Sequence, residues 1–138
     1  PLKAYKNMNA YKLFVLDVGL LGAMSELPAE SILEGNDIFV EFKGALTEQY
    51  VLQQLISDTP YTPYYYGNEK ATFEQDFLIQ KAKSIVPIEV KAEQNIRSHS
   101  LKTYCEKFQP EEAVRFSTLK YKEQEWMVNI PLYAVCNL

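Results

Sequence analysis

Three short pieces of the chain carry residue types that together could cut a phosphodiester bond. They are Glu48 in a helical stretch, Asp76 in Glu74-Gln75-Asp76-Phe77-Leu78-Ile79, and the run Glu89-Val90-Lys91. Carboxylates gathered away from water are costly unless they are paired or bound to a metal. Two of them side by side repel, and one pKa rises strongly unless a cation neutralises the pair. Mg²⁺ suits such an oxygen site: it takes one or two carboxylates, keeps several waters and accepts phosphate oxygens. The expected metal ligands for Mg²⁺ or Mn²⁺ are Asp76 and Glu89, with the carbonyl of Val90 and, directly or through water, Glu48. The ion would polarise a phosphate and help ionise a water. Lys91 would orient that water or offset charge on the transition state. Glu48, Asp76, Glu89 and Lys91 are therefore the candidate catalytic residues.

The elements that must position these groups follow from periodicity. Gly44 to Ile56 has helical spacing, with Ala45, Leu52 and Leu55 on one stripe and Val51 beside it. Glu48 interrupts that stripe, and such breaks concentrate at functional sites. Taken alone it also fits a partly exposed glutamate at a helix start, favoured by the helix dipole. Tyr64-Tyr65-Tyr66, Phe73 to Gln80 and Ile85 to Lys91 read as three strands. The turns between them fall at Gly67-Asn68-Glu69-Lys70 and Lys81 to Ser84. That is an antiparallel meander following a helix. Residues two apart in a strand share a face, so Glu89 and Lys91 point one way while Ile88 and Val90 face the core. A plain surface pair is the competing reading of Glu89 and Lys91, and it would be worth little. Pro87 removes a ladder donor, which predicts a bulge or an unpaired position there.

Before the meander, Tyr11 to Leu16 reads as a short strand, and Asp17 as the N-cap of a short helix reaching about Ser25. Leu27-Pro28 ends that helix, and Gly35-Asn36-Asp37 is a turn signal. After the meander and the polar stretch Ala92 to Arg97, Ser98 or Ser100 can cap a helix with apolar positions Leu101, Tyr104, Cys105 and Phe108. Pro110 stops it. Ala113 to Leu119 is a fourth strand, parallel to an earlier one after the helical crossover. A charged turn, Lys120 to Glu125, leads to the mostly apolar Trp126 to Ile130, and Leu132 to Cys136 closes the domain. The expected class is α/β, a mixed central sheet containing the meander and flanked by helices.

The 138 residues suffice for one domain and not two. A leading segment, 1–36, would precede a core, 37–138. Hydrophobic residues are 47% and charged residues 23%, as in a globular protein. A net charge of -4 argues against a broad surface that coats nucleic acid. It leaves room for an enzyme that meets DNA through a metal ion. No apolar run approaches a membrane span. Cys105 and Cys136 have no zinc spacing and read as buried thiols in a reducing compartment, the cytoplasm by default. His99, the only histidine, reads as a surface or capping residue. Arg97, Lys102 and Lys107 could line a phosphate-facing rim, with a solvated helix face as the rival reading of the two lysines. Gln94 and Asn95 could touch substrate, or form a plain polar loop. Ten tyrosines invite base stacking, although Tyr64 to Tyr66 suit a strand equally well.

The order of these motifs resembles a known family. Gly44 with Glu48-Gln49-Tyr50-Val51, then Glu74 to Ile79, Pro87 to Lys91, Ser100 to Tyr104 and Asn129-Ile130-Pro131-Leu132-Tyr133 carry the resemblance. It is to a C-terminal domain of bacterial and archaeal AAA-type ATPases, the domain-of-unknown-function family numbered 4143. That family is itself similar to the PD-(D/E)xK nuclease superfamily. The resemblance implies a restriction-endonuclease-like core in which Asp76, Glu89 and Lys91 match the motif and Glu48 the helical acid. It implies DNA as substrate and an N-terminal AAA ATPase module as partner. No P-loop of the form GxxxxGK(S/T) is present, so the ATPase module would belong to a longer parent chain. A catalytically idle module of the same fold, binding nucleic acid or protein, is the alternative.

Overall fold

One helix, α2 (Asp37–Asp58), lies across a mixed sheet and supplies its main hydrophobic cover. The computed structural model describes residues 1–28, 30–31, 37–67, 73–92 and 98–138. The expected turns at Gly35-Asn36 and Asn68-Glu69-Lys70, and the candidates Gln94, Asn95 and Arg97, lie outside these residues. Ahead of α2 stand a 3₁₀ turn (Leu2–Tyr5) and helix α1 (Val18–Met24). Asp17 caps α1 as its sequence position suggests: its Oδ1 accepts the Leu20 N–H at 2.8 Å.

The strands among the described residues are β1 (Tyr64–Gly67), β2 (Glu74–Lys81), β3 (Ser84–Lys91), β4 (Val114–Ser117), β5 (Lys122–Glu123) and β6 (Val128–Pro131). They form one sheet in the order β1-β2-β3-β4-β6-β5. The expected meander is present, since β1–β2 and β2–β3 are antiparallel. Helix α3 (His99–Phe108) then carries the chain across, and β4 joins β3 in parallel, as the helical crossover predicts. Strand β6 adds in parallel to β4, and the two-residue β5 closes the edge. The chain finishes in a 3₁₀ segment, Leu132–Asn137.

The core follows from strand alternation. Phe77 and Ile79 pair with Ile88 and Val86, so all four share one face, and Val51 and Leu55 of α2 close over them. Val114, Phe116 and Val135 complete this layer. Truncating a side chain as enclosed as Leu55 costs about 2–5 kcal/mol. The opposite face carries a smaller cluster of Leu101, Ala113 and Met127 under α3. At its side, Tyr66 meets the rings of Phe73, Tyr104 and Phe108, each with centroids 5.6 Å away. The contacts to Tyr104 and Phe108 are edge-to-face, an arrangement favourable beyond the area it buries. No described helix is long and apolar enough to cross a membrane.

Several expectations need correction. Residues 11–16 are not a strand. Their backbone is met by a side chain instead: Gln49 Oε1 accepts the Val15 N–H at 3.1 Å, and Gln49 Nε2 donates to the Val15 carbonyl at 2.9 Å. Gln53 Oε1 accepts from Val18 N–H in the same way at 3.0 Å. Two glutamines four apart on α2 thus do the work of a neighbouring strand. Ala45, placed on the buried stripe of α2, is exposed, while Thr47 and Gln49 are buried. Phe108 is also exposed, and so is the Cys136 thiol, whereas Cys105 is half-buried. Pro87 causes no bulge, because it pairs regularly with Leu78 and precedes Ile88, the first residue that β3 shares with β4. The irregularity lies in β2.

Candidate functional site

Between the pairs Tyr64–Leu78 and Tyr66–Gln75, one residue of β1, Tyr65, is matched by two of β2, Asp76 and Phe77. This is a β-bulge, which bends its strand and re-aims a side chain. On the other side, the regular β2–β3 pairs run only as far as Phe77–Ile88. Beyond them, side chains take over from the backbone. Asp76 Oδ2 accepts the Val90 N–H at 2.7 Å, and Gln75 Nε2 donates to the Ile88 carbonyl at 2.7 Å. The bulge therefore turns Asp76 toward β3, next to the Glu89-Val90-Lys91 run.

Asp76 is strongly perturbed. Burial pushes its carboxyl up from 3.8 to about 6, opposed by the Val90 N–H and Lys12 and reinforced by the negative charges of Glu48 and Glu89. Asp76 is thus close enough to feel both other acids. Glu89 is 2% exposed, Lys91 Nζ lies 3.0 Å from its Oε1, and its buried Oε2 has no hydrogen-bond partner among the described residues. A buried carboxylate oxygen left unsatisfied is costly and calls for a cation or a water. Glu89 and Lys91 share a face, as strand alternation requires. Glu89 is no surface residue.

Glu48 is placed differently from the other two. Its Oε1 meets Lys12 Nζ at 2.9 Å, and the same ammonium is 2.8 Å from Glu74 Oε1. Burial alone would pull Lys12 down, but its hydrogen bonds to Glu74 and Glu48 outweigh this and raise its pKa. The expected four-ligand set is therefore not gathered as drawn. Among the described residues no group of three or more His, Cys, Asp or Glu is arranged to hold a metal ion. Glu48 is engaged by Lys12, and Val90 takes part through its N–H to Asp76. What does converge is Asp76, Glu89 and Lys91 at the parting of β2 and β3, with the Glu48–Lys12 pair at its edge.

Residues outside the candidate set complete the site. Lys12 sits 36 positions from Glu48, and local periodicity carries no trace of that contact. Arg115 lies beside Glu89 on β4 and is 5% exposed. Its Nε donates to Asn129 Oδ1 at 2.9 Å, and one terminal nitrogen to Ser98 Oγ at 3.2 Å. Ser98 begins α3 but makes no side-chain cap bond of its own. A charged residue inside a short apolar strand was the one sequence signal for Arg115. Lys102 and Lys107 are both exposed on α3, as a solvated helix face requires. Lys102 lies 3.9 Å from Glu106 on the exposed face of α3, and Lys107 lies 4.9 Å from the Phe108 ring centre.

No curated protein and no solved structure matches the chain. A family model does match residues 43–134, a span that holds Glu48, Asp76, Glu89 and Lys91, and by it the chain belongs to the family described as Domain of unknown function (DUF4143).

Proposed function

We propose that this domain is a metal-dependent nuclease-like module with a restriction-endonuclease-like, PD-(D/E)xK core, appended in a longer parent chain to an AAA-type ATPase and acting on DNA phosphodiesters. One observation carries the proposal: Asp76 and the unsatisfied oxygen of buried Glu89 stand beside Lys91 where β2 and β3 part. Two carboxylates fit Mg²⁺ or Mn²⁺, which needs few protein oxygens because it keeps waters. Asp76 and Glu89 would hold the ion, and Glu48 would support it through water. When bound, it would supply Lewis-acid polarisation of the phosphate and acidify a water. Lys91, held at 3.0 Å by Glu89, would orient that water or balance negative charge on the phosphate. The Val90 N–H fixes the Asp76 carboxylate, so the acid does not have to be ordered at the moment of reaction.

The alternative is a catalytically idle module of the same fold that binds nucleic acid or protein. One feature favours it: Lys12 already neutralises Glu48 with a cation from the chain itself. The two readings differ in their response to metal. A ligand of the folded state raises the melting temperature, by an amount equivalent to about 2.7 kcal/mol at a hundredfold excess over Kd. The nuclease reading expects such a rise with Mn²⁺ or Mg²⁺ and its loss in Glu89→Gln. It also expects cleavage of DNA with Mn²⁺ that disappears in Lys91→Ala. A protein that melts identically with and without metal belongs to the idle reading. Undiminished cutting by Lys91→Ala would remove Lys91 from the mechanism.

A further inference from the structure

Beside Lys12 the surface opens into a cavity of about 550 Å³, between the C-terminal part of α2, the loop 59–63 and β1. Five of its twelve lining residues are aromatic: Phe14, Tyr61, Tyr64, Tyr65 and Phe77. The tyrosines and Phe14 are half-buried, whereas Phe77 is 2% exposed. Pro60 and Pro63 restrict the backbone of the loop, so this wall is largely formed in advance.

Two connections tie the groove to the acidic site. Lys12 lines the groove, with its ammonium 5.5 Å from the Tyr65 ring centre, and the same nitrogen is 2.9 Å from Glu48. Phe77, in the groove wall, directly follows Asp76 in β2. An occupant of the groove therefore continues past a lysine toward Asp76 and Glu89. The lining favours a flat, uncharged ring, and the exit holds one ammonium, that of Lys12, shared between Glu48 and Glu74. A nucleotide suits that arrangement, with a base that stacks on aromatic faces and a phosphate that replaces Glu48 or Glu74 as the partner of Lys12. Paired bases in a duplex are stacked on each other and do not offer a face, so the base that enters is an unpaired one.

We infer that this groove is a subsite for an unpaired nucleobase, which sets the adjoining phosphate at the Asp76–Glu89 pair and makes single-stranded nucleic acid the preferred substrate. The inference deepens the nuclease reading and rests on it for the fate of that phosphate. It can be tested separately, because base binding needs no cleavage.

The experiment is fluorescence anisotropy with labelled oligothymidylate in EDTA, alongside oligouridylate and a blunt duplex of equal length. Tyr61→Ala and Tyr65→Ala should each weaken oligothymidylate binding at least about fivefold. Tyr65→Phe, which keeps the ring, should bind like the parent. The duplex should bind more weakly than either single strand, and the oligouridylate arm tells whether ribose is accepted. Melting temperatures in the absence of ligand verify that each variant is folded, and Tyr61, in the loop, provides a substitution outside the sheet. The Mn²⁺-induced rise in melting temperature should persist in Tyr61→Ala. Oligothymidylate binding that is absent, or unchanged by both alanine substitutions, overturns the subsite, as does a duplex that binds equally well. If the Mn²⁺ response survives such a result, the nuclease reading stands and only the groove assignment falls.

Discussion

The rim around Lys12 and the interior row Glu89–Arg115–Asn129 hold their charges in opposite ways. At the rim, one ammonium bridges Glu48 and Glu74, and the three side chains are 24%, 25% and 53% exposed. In the interior row, the parallel pairs Glu89–Arg115 and Arg115–Asn129 set three polar groups side by side across β3, β4 and β6, each 5% exposed or less. Water screens the rim, so its pairs exchange one set of good interactions for another. Inside, each charge depends on the protein for compensation, and removing one partner strands the other. Asn129 shows how far that compensation extends. Its Oδ1 accepts from Arg115 Nε and from Ser117 Oγ, while its Nδ2 donates to the Lys120 carbonyl at 2.9 Å. The comparison teaches that Glu89 is the carboxylate held by the fold, and Glu48 the one free to change partner.

The largest expected effect comes from breaking the interior row. Arg115→Met should cost about 3–5 kcal/mol in urea unfolding, because buried Glu89 keeps Lys91 alone as its counter-charge and Asn129 Oδ1 loses a charged donor. Adding Glu89→Gln to that variant should restore part of the loss. A double variant no better than Arg115→Met alone would mean that Arg115 serves only Asn129 and Ser98.

The next effect is a pH dependence at Asp76, which lies between the two regions. Folded Asp76 keeps its proton up to about pH 6, whereas 3.8 is its ordinary value. Between those values the folded state binds more protons than the unfolded chain, so stability falls as pH rises through the window. At about 1.4 kcal/mol per pH unit, the fall reaches roughly 3 kcal/mol at most. Urea melts in EDTA from pH 4 to about 6.5 should show it. Asp76→Asn, which can still accept the Val90 N–H, should flatten the curve. A slope equal to that of the parent would place the shift elsewhere.

The smallest effect belongs to the rim. Lys12→Met should change stability by no more than about 1 kcal/mol, and less at high salt. A loss of several kcal/mol would show that the rim behaves like the interior and would end the contrast.

The elements with local signatures were legible in the sequence. The tyrosine strand, the β2–β3 hairpin and the parallel return to β4 follow from alternation and turn chemistry, and Leu101 and Tyr104 of α3 from helical spacing. The shared face of Glu89 and Lys91 follows from the two-residue period alone. What escaped depends on contacts between distant parts of the chain. Residues 11–16 have the composition of a strand, and nothing in them says that Gln49 will satisfy their backbone. Lys12 gains its partners from a helix and a strand far along the chain. The bulge in β2 escaped as well, because Pro87 drew the expectation of an irregularity onto the neighbouring strand. Burial of Glu89 depends on how α3 and β4 close around it, and alternation fixes a side chain's direction without fixing what will cover it.

The bond from the Val90 amide to Asp76 has a practical consequence. One main-chain proton of β3 is held by an ionisable side chain, where its neighbours are held by carbonyls. Its nuclear magnetic resonance should move as that carboxylate is protonated or takes up a cation, while the amides of Val86 and Ile88 stay comparatively still. A single ¹⁵N-labelled position thus gives the domain a built-in reporter of site occupancy, readable before any substrate has been found.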